Sequence, residues 1–405
     1  MLKTACSRLT SYPWQTLELG LTVLLWQASS GVFLLSLVQQ YLPQQLEANA
    51  AFPGYALALY AAGRFLLQAP AGWLADRLGR RQMLAWGIAV TLACVFLMSQ
   101  VQQASAFLIL SSLYGAGSAA IWPAIMAYVG DTYAPEVRGR TLNVLNLAQL
   151  VGLGLGAMVG VTLIDLISYQ AAFAASLGFS GLAFAFAYRG TRGGGRAAQD
   201  EVPRAARSLG RALLSVRVLV LAGIALLLSI GTTVQAPVVG AYANEVLDTP
   251  LYVLGLMLLV PAAVAGFIAL RCGHLADRFG RQLPLMGGLA LASLCYFALS
   301  QTTNPLLAAN LVVLAGLGYA VSIPAWGAAA LDATELGGRG LLLGVLATVQ
   351  GLGGAAGQAI GGATSAAWGP VAPFKLGAML LVLALVLTTM QLWHQRRTEP
   401  ETVLS

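Results

Sequence analysis

One arginine stands where an arginine is costly. Arg64 lies inside the apolar run 52–75, twelve positions before Asp76. On a helix it is therefore about 18 Å deeper than that carboxylate. Such a depth is near the middle of a ~30 Å hydrocarbon core. A charged side chain meeting lipid there costs at least ~2.5–3.5 kcal/mol, so it must face protein or water. Tyr60, Arg64 and Gln68 stand four apart and share one helical stripe. Two readings stay open for Arg64. It is a cavity cation that holds an anionic group or tunes a proton site, or it is a structural arginine bonded to carbonyls of a neighbouring helix.

Other polar and aromatic side chains interrupt apolar runs. Trp26 and Gln27 fall near mid-depth of the first run, and Tyr114 and Trp122 flank the GAGSAA stretch. Thr232, Thr233 and Gln235 break the run 217–243, and Tyr319 and Trp326 surround Pro324. Gln149 and Gln350 each place an amide in an apolar stretch. Rings with a few amides suit an amphiphilic organic ligand. No hydrolytic constellation accompanies them: there is no HExxH, no GxSxG with a placed base, no Walker loop and no intramembrane aspartate pair. The two histidines, His274 and His394, lie near the ends of runs. Cys6, Cys94, Cys272 and Cys295 have neither CxxC nor zinc spacing and read as packing residues. An enzyme, a metal site and a cofactor are not expected.

The elements that must position these side chains are membrane-crossing helices. Hydrophobic residues make up 58% of the 405 and charged residues 9%, with a mean hydropathy of +0.76. A soluble domain carries about 25% charge, and a soluble chain this apolar would lack the polar surface to cover its core. That excludes a soluble enzyme, a disordered chain and a nucleic-acid-binding module. Runs near the ~20 residues needed for a crossing lie at 17–42, 52–75, 82–101, 104–129, 141–165, 169–188, 217–243, 249–272, 283–301, 305–330, 340–364 and 371–393. Twelve spans result, too long and too uniform for barrel strands. Gly, Pro and charge gather in 189–216, which reads as a linker. The halves are then 1–188 and 217–393, with a tail at 394–405. The net charge of +7 is a topology signal. Arginines follow spans 2 and 4, fill the linker and flank the end of span 8, whereas QYLPQQLEANA and SQTTNP carry no Lys or Arg. By the positive-inside rule both termini and the linker are expected in the cytoplasm of a cell-membrane protein.

Self-similarity is the strongest signal. GWLADRLGRR (72–81) returns as GHLADRFGRQ (273–282), a shift of 201 positions. The same shift takes Asp131 to Asp332, Gly54 to Gly255 and Pro123 to Pro324. It takes Gln149, Gly152, Gly156 and Gly160 to Gln350, Gly353, Gly357 and Gly361. Two similar six-helix halves follow. The small residues fall on one stripe in spans 5 and 11, where they let helix backbones approach.

The decapeptide between spans 2 and 3 resembles the signature loop of the major facilitator superfamily. The resemblance takes in the whole chain: twelve spans, two halves, a long central loop and the motif in both halves. It implies an all-α polytopic membrane protein of two pseudo-symmetric six-helix bundles. Gly72 and Gly273 are expected to allow close helix approach, and Gly79 and Gly280 a tight turn. The resemblance implies Asp76 near the start of span 11, Arg80 beside Asp131, and a mirrored set of Asp277, Arg281 and Asp332. Arg77 and Arg278 belong to the same loops. PEVRGR adds Glu136 and Arg138, with a weaker counterpart in Glu335 and Arg339. Such contacts would latch the outward-facing state and break as the halves rock. The likeness to the proton-driven drug exporters is partial. Ser111 fills the slot of their span-4 arginine, and the span-5 stripe lacks the proline and ends on Val161. The expectation is a secondary active transporter of a small organic solute working by alternating access, an exporter and a monomer, in contact with lipid. It needs no cofactor and no nucleic acid, and proton coupling stays open. The alternative is a non-transporting sensor or scaffold with the same fold.

Overall fold

A computed structural model describes residues 14–133, 135–190, 216–250, 252–253, 255–257, 264, 282–332 and 339–398. The linker and the second signature loop, with Gly273, Asp277, Arg278, Gly280 and Arg281, lie outside the described residues. So do the side chains of Asp76, Glu136, Trp326, Asp332 and Arg339.

Among the described residues the regular structure is helical. In a bilayer every backbone N–H and C=O must be satisfied internally, and a helix does that within one segment. In the first half the helices are α1 (Trp14–Gly31), α2 (Val38–Gln45), α3 (Phe52–Leu78), α4 (Arg80–Met98), α5 (Ala104–Ala119), α6 (Ile121–Thr132), α7 (Pro135–Leu166) and α8 (Tyr169–Gly190). In the second they are α9 (Val216–Thr233), α10 (Val239–Glu245), α11 (Gln282–Leu299), α12 (Pro305–Asp332), α13 (Arg339–Trp368) and α14 (Ala372–Thr398). Among the described residues seven stretches are long and apolar enough to cross a membrane, and two shorter apolar ones lie at Leu285–Leu299 and Pro305–Tyr319.

Local breaks have local causes. Pro123 has no N–H and its ring crowds the carbonyl four residues back, so α5 gives way to α6 at Ala120. Pro237 sits in a short 3-10 turn, Ala236–Val238, between α9 and α10. A π-helical stretch, Val32–Leu37, joins α1 to α2. Gly79 takes φ +100° between α3 and α4, a value that an L side chain rarely adopts.

Two compact units result, each taking in a short segment from the other half of the chain. The first contains the described residues of 14–48, 59–190 and 250–263; the second contains 49–58, 216–249 and the described residues from 264 onward. Val23, Trp26, Leu84, Ile88, Ile121 and Leu145 lie in the core of the first. Leu221, Ile224, Leu285, Leu289, Leu346 and Leu381 form that of the second.

The 201-position repeat holds down to single hydrogen bonds. Leu46 N and Ala48 N donate to the carbonyls of Tyr41 and Leu42; Leu247 N and Thr249 N donate to those of Tyr242 and Ala243. The residue between each pair, Glu47 or Asp248, takes a positive φ of 47° or 46°. Tyr41 Oη donates to the Val101 carbonyl at 3.3 Å, and Tyr242 Oη to that of Thr302 at 3.1 Å. Gln100 Nε2 donates to Ser99 Oγ at 3.0 Å, and Gln301 Nε2 to Ser300 Oγ at 3.1 Å.

The glycine stripes do the same work twice. A Cβ on Gly156 of α7 would sit 1.9 Å from the Ala28 carbonyl oxygen of α1. One on Gly361 of α13 would sit 1.8 Å from the Val234 carbonyl oxygen, one residue past α9. With glycine there, hydroxyls reach across each seam. Ser36 Oγ donates to the Ala157 carbonyl at 3.1 Å, and Ser229 Oγ to the Gln350 carbonyl at 2.6 Å.

Candidate functional site

α3 runs unbroken from Phe52 to Leu78, so Arg64 keeps its expected mid-helix place. Its Nη1 donates to Tyr60 Oη at 3.3 Å. Among the described residues no carboxylate comes within ion-pair distance of it. The Tyr60 ring stands 5.8 Å from that of Tyr114, which lies 4.4 Å from Phe33 in the π-helical stretch. Tyr114 Oη shares a 3.0 Å hydrogen bond with Ser30 Oγ, and Ser30 also donates to the Trp26 carbonyl. A cation, two phenols and a serine thus form one chain from α3 through α5 to α1.

That chain is deeper than the sequence suggests. Tyr114 and Trp26 are buried, and Trp26 belongs to the core with its Nε1 left without an acceptor among the described residues. Gln27 is buried against the Gly152 backbone of α7, Trp122 packs on the core, and Gln149 is half-buried. Gln68 is exposed, so the stripe Tyr60–Arg64–Gln68 runs from a buried ring to an open amide. Behind it lies a cluster that sequence reasoning missed. Ser29 Oγ, Ser176 Oγ and Ser180 Oγ join at 2.7–2.8 Å between α1 and α8. Hydroxyls at 29, 176 and 180 become a cluster only when two distant helices fall into register.

In the second unit a pocket of about 190 Å³ gathers Tyr319 and Gln350 with Ser229, Thr232 and Ser322 over Leu228, Leu285 and Leu289. Tyr319 keeps nearly half its surface open. Nearby, Gln235 Nε2 donates to Tyr296 Oη at 2.6 Å and to the Thr232 carbonyl at 2.7 Å. Its Oε1 is buried without a donor among the described residues. The structure therefore brings Tyr319 and Gln350 together and ties Gln235 to their neighbour Thr232. Ser229, Ser322 and Tyr296 are additions with no sequence signal beyond a hydroxyl in an apolar run.

At the arginine-bearing end of the first unit, Arg80 Nε lies 3.3 Å from Asp131 Oδ2. Arg138 Nε donates to the Tyr133 carbonyl at 2.8 Å, and Tyr133 Oη meets Thr16 Oγ1 at 2.6 Å. Arg77 lies over the Trp73 ring at 3.9 Å. A Cβ on Gly72 would meet nothing within 4 Å among the described residues.

Known proteins share this architecture. A family model for the Major Facilitator Superfamily matches residues 19–357 and 221–404. A multidrug resistance protein, MdtG, of Enterobacter lignolyticus is 27% identical over 380 residues, 90% of this chain and 89% of that one. A proton-coupled antiporter flippase, LtaA, of Staphylococcus saprophyticus is 26% identical over 300 residues, 72% of each chain. Among solved structures, a POT family transporter superposes with a TM-score of 0.76 at 15% identity, covering 96% of this chain and 97% of its own. A point mutant of the nucleoside transporter NupG gives 0.75 at 12% identity, covering 94% and 99%. These likenesses to solved structures carry the fold alone. The all-α, two-bundle architecture read from the repeat is thus the architecture of known transporters, and the chain belongs to the Major Facilitator Superfamily, a multi-pass membrane protein of a family of secondary transporters.

Proposed function

We propose that this chain exports a small amphiphilic organic solute bearing an anionic group, by alternating access, using proton entry as the driving force. The observation that carries the reading is Arg64. It is a cation held at mid-helix by a hydroxyl, with no carboxylate in range among the described residues. In low dielectric such a charge attracts an anion far more strongly than in water. Tyr319 and Gln350, with Ser229, Thr232 and Ser322, offer a neutral polar face with apolar walls. A solute with donors and an apolar body suits that face. The names of two relatives, a multidrug resistance protein and a proton-coupled antiporter flippase, support export and proton coupling.

In this reading Arg80, Asp131 and Arg138 act as a latch at the cytoplasmic end. Asp76, Glu136 and the mirrored residues of the second half share that role. The termini and the linker lie in the cytoplasm of a plasma-membrane protein that works as a monomer. The halves of the carrier are 1–188 and 217–393.

The test is flux in proteoliposomes with a panel of anionic, neutral and cationic amphiphiles and an imposed pH gradient of either sign. Anionic solutes are expected to move against the proton gradient, and Arg64→Ala to abolish that movement while the protein still elutes as one sharp peak. Equal flux in Arg64→Ala and wild type would overturn the role of Arg64. No flux of any solute under either gradient would overturn the transport reading itself.

A further inference from the structure

A groove of about 410 Å³ runs between α4 and α8 on the first unit, away from the polar chain described above. Ala85, Trp86, Ala89 and Phe184 line it, with Arg81, Gln82 and Tyr188 at one end, its mouth. The rings face outward: Trp86 is 65% exposed and Tyr188 55%. Phe184 and Tyr188 stack at 6.4 Å. Arg81 is fixed at the mouth twice. It lies over the Tyr188 ring at 4.6 Å and donates from Nη2 to the Tyr188 carbonyl. A guanidinium has five N–H donors, so this leaves others to face the groove. The N-terminus of α4 adds partial positive charge at the same point, where Gly79 supplies no side-chain cap.

We propose that this groove holds one anionic phospholipid, its phosphate on Arg81 and an acyl chain along Ala85, Ala89 and Phe184. The fit rests on depth and on charge. From Arg81 to Ala89 is eight residues, about 12 Å along the helix. That distance takes the groove from a cation, through Trp86 and Tyr188, to apolar wall. A phospholipid presents the same order from phosphate through ester region to hydrocarbon, and Trp and Tyr favour the intermediate depth. Basic pockets between membrane helices accept acidic head groups in this way. Among the described residues Arg81 has no carboxylate partner, whereas Arg80 beside it has Asp131. The proposal is independent of what the carrier moves.

The experiment is native mass spectrometry of the purified full chain with dioleoyl phosphatidylglycerol and dioleoyl phosphatidylcholine. One extra cation near the surface should favour the acidic lipid about fivefold. Arg81→Gln should erase that preference. Ala85→Trp fills the groove at a half-buried position and leaves Arg81 in place. It should remove the bound acidic lipid even if Arg81→Gln does not yield folded protein. Equal retention of the two lipids by wild type, or an unchanged preference in either variant, overturns the proposal. So does displacement of the lipid by glycerol 3-phosphate at equal concentration, since the site would then take a free anion rather than a lipid.

Discussion

Replacing Gly156 by alanine sets two effects of opposite sign against each other. Within a helix, Gly→Ala contributes about 0.8–1 kcal/mol of propensity. At Gly156 the new Cβ would lie 1.9 Å from the Ala28 carbonyl oxygen and 2.7 Å from Ala28 Cα. Ordinary contact begins near 3.4 Å, so α1 and α7 would have to part by about 1.5 Å. Both partners are backbone, and no side chain can rotate away. Overpacking a dense interior costs about 1–3 kcal/mol and sometimes more, and a rigid obstacle belongs at the top of that range. The net expectation is a loss of about 2 kcal/mol. For a unit near 200 residues this lowers the thermal midpoint by roughly 4–8 °C. Gly361→Ala repeats the test in the second unit, where the obstacle is the Val234 carbonyl oxygen at 1.8 Å. Gly178→Ala on α8 is the control, because nothing among the described residues lies within 4 Å of its Cβ. It should melt at or above the wild-type temperature. The assay is fluorescence-detected size exclusion after heating in detergent. If Gly156→Ala melts with wild type, or if Gly178→Ala falls as far, the seam between α1 and α7 is not held by close backbone approach.

Two further expectations separate structure from transport. The Arg80–Asp131 pair is partly open, with side chains 13% and 32% exposed, and such a pair contributes at most about 1 kcal/mol to stability. Asp131→Asn should therefore shift the thermal midpoint by less than about 4 °C while solute flux in proteoliposomes falls steeply; a variant that melts early with normal flux would make the pair structural. Tyr296→Phe removes the oxygen that accepts from Gln235 Nε2 and leaves a buried amide short of a partner, at a cost of about 1–3 kcal/mol. Its expected readout is weaker solute binding by calorimetry, and unchanged binding would detach Gln235 from the pocket of Tyr319 and Gln350.

What the sequence reveals of this molecule is what repeats within it. A glycine at 152, 156 or 160 says little alone. The same spacing at 353, 357 and 361 identifies a seam, and the structure places Leu24, Ala28 and Val32 against the first set. Composition and run length suffice for helices, because lipid leaves the backbone few other ways to satisfy its polar groups. Side-chain partnerships are less legible. Ser29 with Ser176 and Ser180, or Gln235 with Tyr296, join positions 61 to 151 residues apart. No local pattern marks them, since a serine in an apolar run equally often bonds its own helix, as Ser111 does to the Phe107 carbonyl. The depth of Trp26 and Tyr114 was hidden for the same reason: periodicity gives the face of a helix but not the thickness of what covers it.

The repeat also sorts the molecule into scaffold and chemistry. Glu47 and Asp248, Tyr41 and Tyr242, and Ser99 and Ser300 obey the 201-position shift in both identity class and contact, and the two glycine stripes obey it in identity. These positions set loop ends and helix seams, which both units need equally. Apart from Gln149 and Gln350, the polar site residues inside the units do not obey it. Carried forward by the same shift, Tyr60, Arg64, Gln68 and Tyr114 land on Pro261, Ala265, Ala269 and Ala315. Carried back, Thr232, Gln235, Tyr296 and Tyr319 land on Gly31, Leu34, Val95 and Ser118. A fold that only had to pack would tolerate the same apolar residue at both places, and burying an arginine or an unsatisfied amide is costly in either. The first unit bears a cation with phenols and the second neutral amides with hydroxyls, each at positions where its counterpart is mostly apolar. The residues that distinguish one solute from another are therefore to be sought where the two halves disagree.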